Sequence, residues 1–499
     1  TQKRNYQEID KDLRKKIAEL LVKDGWNKDA ARSVAAFDPY DQNASSPFFD
    51  PEWMFGIEDG FDVVIGNPPY VVDKKLSLEE KKYFEKNFKS AVYQINLYLL
   101  FIEKALNLSR RYGNISLIVP NTWLINKTVA GFRKYFIENY EIKSISDLTK
   151  VDIFEATVLP IIFFASNKKQ DKSNSIRVCE YNEEAFIYKL SVSTSNILSD
   201  KDFLINYQLN PEHHLILKKI EQDSKPLHQL AYVSFGVKFY QVNKGVPKQT
   251  RYIVDNHTFT HSRKINNNCK RILEGKDIDR YYISFGGKWI EYGEWLAEPR
   301  KPELFEGERI LLRRIVGQGF LVSCFIDGDF CNNSLLHTVK IFDKTYQTKF
   351  VLAILNSRLM GRCFIMRYAR DEKTFPEIRI HELESLPIKE SVNQSQFTCL
   401  VNYILYLKNQ NKQSSFFESI IDAMVYEIYF PEEIKAANAC VLKHLNNLPE
   451  LKDDWSDKKK LETIEKVYQE LSDEKHHVSI AMARQKTIPE IRIIEGLDK

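Results

Sequence analysis

Between residues 61 and 166, short apolar runs rich in β-branched residues alternate with segments whose apolar residues recur at helical spacing. No other feature of the chain constrains its fold as tightly. FDVVIG (61–66), SLIV within GNISLIVPNTWL (113–124), EIKSISDL (141–148) and TVLPIIFFAS (157–166) each read as a buried strand. The spacing of Leu97, Leu100, Phe101, Ala105 and Leu108 predicts a helix over 94–111, and GFRKYFIENY (131–140) predicts a shorter one. Strand, helix and strand in succession indicate an α/β class built on a parallel sheet, here a partial one.

The polar stretch KKQDKSNS (168–175) predicts a domain boundary. Beyond it, shorter strands with glycine-containing turns (GVKFYQVNKG, FGGKW, VGQGF) and a helix over 346–360 predict a mixed α/β domain. After Pro387-Ile388 the chain reads as helical. The expected organisation is therefore 1–170, 171–390 and 391–499, consistent with a 499-residue chain that is long for one core.

Hydrophobic content of 43% and charged content of 28% belong to a globular chain without a run of about 18 apolar residues, so no membrane span is expected. The start, TQKRNYQEID, has no apolar signal region, and the seven cysteines form no CxxC pair. Reduced thiols, no metal site and a prokaryotic cytoplasm are the corresponding expectations. The net charge of +4 is small, but its distribution is uneven. Residues 236–276 carry nine Lys/Arg against two acids, and residues 340–380 nine against four. Interleaved with Phe239, Tyr240, Tyr252, Phe364 and Tyr368, such stretches suit a surface that tracks phosphates.

The strand at 61–66 ends in Asn67-Pro68-Pro69-Tyr70. A breaker after a buried strand explains the prolines, but the amide and the phenol invite a chemical reading as well. Methyl transfer to the exocyclic amine of adenine needs a nitrogen lone pair held out of conjugation. Two acceptors on its N–H groups do this without full deprotonation, and the Asn67 amide oxygen and the Pro68 carbonyl are suitable. Tyr70 can stack on the base once it is flipped from the duplex.

With its context, DPYDQNASSPFFDPEWMFGIEDGFDVVIGNPPYV (38–71) resembles the stretch leading to motif IV of Type IIG and related restriction-modification methylases, in the form typical of adenine-N6 enzymes. NLYLLFIEKALNLSRRYGNISLIVPNTWL resembles the helix and strand that follow, and VDIFEATVLPIIFFA the motif VIII region. The resemblance puts Phe154 at the aromatic position that closes on the flipped base. FGVKFYQVNKG, LEGKDIDRYY, LFEGERILLRR, NNSLLHTV, LAILNSRLM and FPEIRIHELESLPI resemble, in order, the TaqI-like C-terminal specificity domain. It implies a partial Rossmann-like methyltransferase sheet, a target-recognition domain that reads double-stranded DNA, and a helical end. Lys238, Lys244, Lys276, Arg280, Arg313 and Arg314 are then the candidate phosphate contacts.

The family's methyl donor is S-adenosylmethionine, held by a glycine-rich turn that precedes motif IV. Only 66 residues precede Asn67; Gly25, Gly56, Gly60 and Gly66 are isolated, and from Thr398 onward there is one glycine, Gly496. The cofactor half is therefore expected on a longer polypeptide or a partner subunit, along with any nuclease. Asn67 and Pro68 form only part of the cofactor site, so tight cofactor binding and activity are not expected of this chain alone. Glu141-Ile142-Lys143 and Glu433-Ile434-Lys435 have nuclease-like spacing but no companion Asp on a strand, so no endonuclease site is expected.

The resulting expectation is the base-binding and specificity portion of an adenine-N6 DNA methyltransferase from a restriction-modification or phage-defence system. A non-catalytic DNA-binding module is the alternative. An RNA or protein-glutamine methyltransferase would share the turn but not need the long basic middle.

Overall fold

The computed structural model describes residues 2–36, 51–71, 75–91, 95–149, 151, 153, 159–171, 173–207, 211–315, 320–368 and 377–497. The chain divides into two compact units, Thr1–Tyr207 and Gln208–Lys499.

The first unit is built on a six-stranded sheet: β1 (Phe61–Gly66), β2 (Ser109–Pro120), β3 (Glu141–Asp147), β4 (Pro160–Ser166), β5 (Ser175–Tyr181) and β6 (Phe186–Ser193), in the order β1-β2-β4-β3-β5-β6. The pairs β1–β2 and β3–β5 are parallel. β4 runs antiparallel to both β2 and β3, so β1, β2, β3 and β5 all point one way. Their carboxyl ends, Gly66, Pro120, Asp147 and Tyr181, line one edge of the sheet. The fold class is thus α/β with parallel pairing, modified by two reversed strands, β4 in the middle and β6 at one edge.

Helices Leu97–Leu108 and Ala130–Asn139 cover one face. Leu99, Ile102, Phe132 and Phe136 bury against Ile115, Leu117, Ile161 and Phe163, which alternate along β2 and β4 as a sheet face requires. The first helix is shorter than expected from its spacing. Ser109 ends it, donating its hydroxyl to the Leu106 carbonyl at 2.8 Å. Close backbone contact then leaves no room for a side chain: a Cβ on Gly60, whose φ is +92°, would lie 2.8 Å from the Leu108 oxygen.

The expected boundary near 170 is not where the units divide. The polar residues there are tied into the sheet, because the buried Gln170 amide oxygen accepts from Ile142 N at 2.9 Å and its nitrogen donates to Thr194 at 3.2 Å. Asn174 donates to Glu141 at 2.8 Å. β5 and β6 therefore continue the same sheet, and the unit runs to Tyr207.

The second unit holds two four-stranded sheets. One is antiparallel, in the order Ser323–Ile326, Arg309–Arg313, Leu336–Ile341 and Ala231–Phe235. The other orders Phe330–Asn332, Cys269–Leu273, Trp289–Glu291 and Thr260–His261. No boundary falls at 390: Ile310 and Val339 of the antiparallel sheet share one core with Phe350, Phe397, Ile420 and Ile491 of the helices. The helix expected over 346–360 is two helices, Thr348–Asn356 and Arg358–Tyr368. They break at Ser357, whose hydroxyl caps Met360 N at 3.1 Å while the buried Asp422 accepts from Arg358 N at 2.8 Å. Among the described residues no helix is long and apolar enough to cross a membrane.

His337 is fully buried in this unit, stacked on Phe235 with 5.0 Å between ring centroids, its Nε2 2.9 Å from the Ile378 carbonyl. Burial pulls its pKa down to about 4. An unfolded histidine takes a proton near pH 6.5, so the unfolded state binds more protons between those values and stability is lost as pH falls through them. The expected loss is about 3 kcal/mol. Asp422, pushed up to about 6 by burial, opposes it over part of that range. Chemical denaturation at pH 7 and pH 4.5 should therefore show a smaller loss in His337→Gln than in the unsubstituted chain.

Candidate active-site turn and nucleic-acid interface

β1 pairs with β2 as far as Gly66–Leu117, and the chain then leaves the sheet as Asn67-Pro68-Pro69-Tyr70. Proline has no N–H to continue the ladder, so two in succession end the strand at its carboxyl edge. Asn67 is exposed and Pro68 buried. Among the described residues nothing hydrogen-bonds to the Asn67 amide or the Pro68 carbonyl.

Tyr70 is half-buried. Its hydroxyl donates to the Ile118 carbonyl at 3.1 Å, and its ring meets Tyr98 edge to face, with centroids 6.5 Å apart and planes at 85°. The Tyr98 hydroxyl is 3.3 Å from that of Thr122, which opens a one-turn helix after β2. Burial raises the pKa of the Tyr70 phenol, and that of Tyr98 to about 12, so both remain neutral donors at physiological pH. Leu97 N donates to the Val71 carbonyl at 3.0 Å, so the first turn of the following helix grips the residue after Tyr70.

The neighbouring loops gather at the same edge. Asn121, buried at the end of β2, donates its amide to the Tyr207 hydroxyl at 3.0 Å, and its backbone N donates to the Leu159 carbonyl at 2.9 Å. Leu148 N, after β3, donates to the Pro160 carbonyl at 3.2 Å. Behind them the buried Arg133 guanidinium donates to the carbonyls of Trp123, Asn126, Asp202 and Phe203 at 2.5 to 3.2 Å. Phe154 lies outside the described residues.

Tyr98, Asn121, Thr122, Tyr207 and Arg133 were not among the residues expected from sequence. PNTWL marked the loop, but nothing in the composition of GFRKYFIENY distinguishes Arg133 from a surface arginine.

The candidate phosphate contacts of the second unit fall into two groups. Arg280 pairs with Glu418 at 3.1 Å, donates to the Asn356 carbonyl at 2.8 Å and lies over the Phe320 ring at 4.1 Å. Arg313 donates to the Ile278 carbonyl. Arg314 pairs with Glu377, donates to Ser334 at 2.9 Å and stacks on Phe235. These guanidinium groups are engaged inside the unit, and a phosphate would have to displace those partners. The lysines differ. Lys238 is 41% exposed and shared between Gln241 at 2.6 Å and Glu298 at 3.9 Å. Lys276 is 69% exposed beside Glu274, and Lys244 is exposed with no ion pair among the described residues. Lys248, Arg263 and Lys264 are exposed near it in sequence. No group of three or more metal-ligating side chains is assembled among the described residues.

Residues 2–154 match the Eco57I restriction-modification methylase family, and residues 270–388 the TaqI-like C-terminal specificity domain. A protein of Methanocaldococcus jannaschii, named as a type II restriction enzyme and methyltransferase, is 26% identical over 399 residues, which are 76% of this chain and 32% of that protein. The Type II methyltransferase M.BstVI of Geobacillus stearothermophilus is 33% identical over 151 residues, 30% of this chain and 25% of its own. The chain thus spans about a third or less of these relatives' lengths. Among solved structures, the Type IIL restriction-modification enzyme MmeI in complex with DNA aligns with a TM-score of 0.47 at 11% identity, covering 82% of this chain and 57% of that one.

Proposed function

We propose, from the match of residues 2–154 to the Eco57I restriction-modification methylases and of residues 270–388 to the TaqI-like specificity domain, that the chain is the target-base and sequence-reading portion of a DNA adenine-N6 methyltransferase. The observation that carries this is the turn at the carboxyl edge, where no described residue bonds the Asn67 and Pro68 acceptors and Tyr70 is braced beside them. Asn67 Oδ1 and the Pro68 carbonyl accept the two N–H groups of a flipped adenine, leaving the nitrogen lone pair to point away from both. Their fixed geometry supplies orientation before reaction begins, since β1 and two prolines leave the turn little freedom. Tyr70 stacks on the base, and the family resemblance, not the structure, assigns Phe154 as the second aromatic. S-adenosylmethionine, when bound, supplies the electrophilic methyl group. The chain's own residues suit the base side of that reaction, and no glycine-rich turn lies along the described sheet edge to hold the donor.

The second unit is the reader of double-stranded DNA, with Lys238, Lys244 and Lys276 as phosphate contacts. Lys244→Glu and Lys276→Glu should each weaken duplex binding and lower the slope of log K against log salt by about 1. Arg280→Ala should instead reduce thermal stability, because it removes one of the two cations paired with the mostly buried Glu418 and takes the donor from the Asn356 carbonyl. Fluorescence anisotropy across a salt series, with melting curves for the same variants, separates the two effects.

Methyl transfer from labelled S-adenosylmethionine to mixed-sequence duplex DNA tests the proposal, using the complete gene product together with any partner subunit. Label in the DNA is expected. Salt-sensitive binding without label would make the chain a non-catalytic recognition module. With this chain alone, calorimetry should register no heat with S-adenosylmethionine, and clear micromolar binding would contradict the assignment of the donor site elsewhere.

A further inference from the structure

The mixed sheet of the second unit has two unlike faces. On one, Ile272, Ile290 and Cys331 are buried with Leu296 and Phe305. On the other, the register sets Phe330 opposite Arg271, Arg271 opposite Trp289, and Trp289 opposite His261, so a single row of side chains crosses all the strands. Each member of the row is only half-buried.

The row is unlike a hydrophobic core. Arg271 lies over the Phe330 ring at 3.8 Å, and Phe285, 37% exposed, meets Phe330 and Trp289 edge to face with centroids 5.6 and 6.3 Å away. Among the described residues no hydrogen bond or ion pair engages the Arg271 guanidinium or the Trp289 indole nitrogen, although a tryptophan N–H ordinarily finds a partner when buried. Arg280, Arg313 and Arg314, by contrast, are committed inside the unit. The segments flanking the row are net basic. Lys276 and Lys288 share Glu274 at 3.7 and 2.8 Å, and Arg263 and Lys264 are exposed just after His261, against Glu291, which accepts from Asn266 at 2.6 Å and lies 4.0 Å from His261.

Planar groups with unspent donors and a basic rim match planar bases strung on phosphates. A paired base keeps its faces inside the duplex stack, so the match is to unpaired bases. We propose that this face is a second nucleic-acid site, distinct from the reading of duplex DNA: the Arg271 guanidinium and the Trp289 indole each stack one unpaired base of a DNA single strand, and the basic rim takes the phosphates. Unpaired bases arise wherever a nucleotide is drawn out of a duplex. The assignment does not depend on the chemistry at Asn67.

Fluorescence anisotropy of this chain with a labelled oligothymidylate of about 12 nucleotides tests the site. Trp289→Ala and Arg271→Ala should each weaken its binding by about 10-fold, the loss of one stacked base, while duplex affinity stays within about 2-fold. Trp289→Phe should recover most of the binding, and melting curves confirm that each variant is folded. Photocrosslinking of the unsubstituted chain to an oligothymidylate carrying 4-thiothymidine requires no variant, and should mark peptides containing Arg271, Phe285 or Trp289. Crosslinks confined to other segments, or full affinity in folded Trp289→Ala and Arg271→Ala, overturn the proposal. Tighter binding of an oligouridylate would assign the face to RNA and overturn it as well. Duplex binding without oligothymidylate binding would refute this face and leave the proposed reader of double-stranded DNA intact. Oligothymidylate binding without duplex binding would do the reverse.

Discussion

Asn67→Ala in the complete methylase is expected to lower the rate of methyl transfer to DNA by about 10²–10³ while leaving duplex affinity unchanged. That factor is typical of deleting one preorganised polar group that acts on the reacting centre. Asn67 is exposed at the end of β1 and contributes no described hydrogen bond to the fold, so the variant should melt with the parent protein. Asn67→Asp is a sharper comparison. A carboxylate keeps an acceptor for the amine but adds a charge beside a substrate polyanion, so a rate between those of Ala and Asn is expected. Single-turnover labelling at saturating DNA measures both. A full-rate Asn67→Ala enzyme would remove the turn from the chemistry.

Arg133→Met should be the most destabilising single change in the first unit, at about 3–5 kcal/mol. The guanidinium makes five hydrogen bonds to four carbonyls, with no carboxylate directly on it among the described residues, and it is fully buried. Burial lowers its pKa to about 10, so it is still charged at neutral pH. Methionine fills similar volume but leaves the carbonyls of Trp123, Asn126, Asp202 and Phe203 without their donor. In a unit of this size the loss corresponds to a fall in melting temperature of roughly 10 °C. The loop carrying Asn121 and Thr122 should loosen first, seen as faster amide exchange at Leu124, whose N–H donates to Asn121. A melting temperature within 2 °C of the parent, on the order of 1 kcal/mol or less, would show that water replaces the arginine without cost.

That the chain leaves the sheet at Asn67 was legible in the sequence, because two prolines follow one β-branched run. The strands around it were legible for the same local reason. What lies at a distance in the chain was not. Arg133 reads as one more basic residue on an amphipathic helix until residues 202–203 are seen to fold back onto it. Gln170 and Asn174 read as a polar linker, although their amides are spent on β3 and its neighbours. Arg280 and Arg314 read as candidate phosphate contacts, but Glu418 and Glu377 take up those charges, and the sequence cannot reveal partners that distant in the chain. The antiparallel β4 was hidden because strand direction is set by connections, not by composition.

The central claim is that the Asn67 turn receives adenine. Its most direct measurement is nucleoside mass spectrometry of duplex DNA after incubation with the complete methylase and S-adenosylmethionine. N6-methyladenine should appear, and should be lost with Asn67→Ala. N4-methylcytosine as the sole product, or N6-methyladenine at the same level with Asn67→Ala, would contradict it.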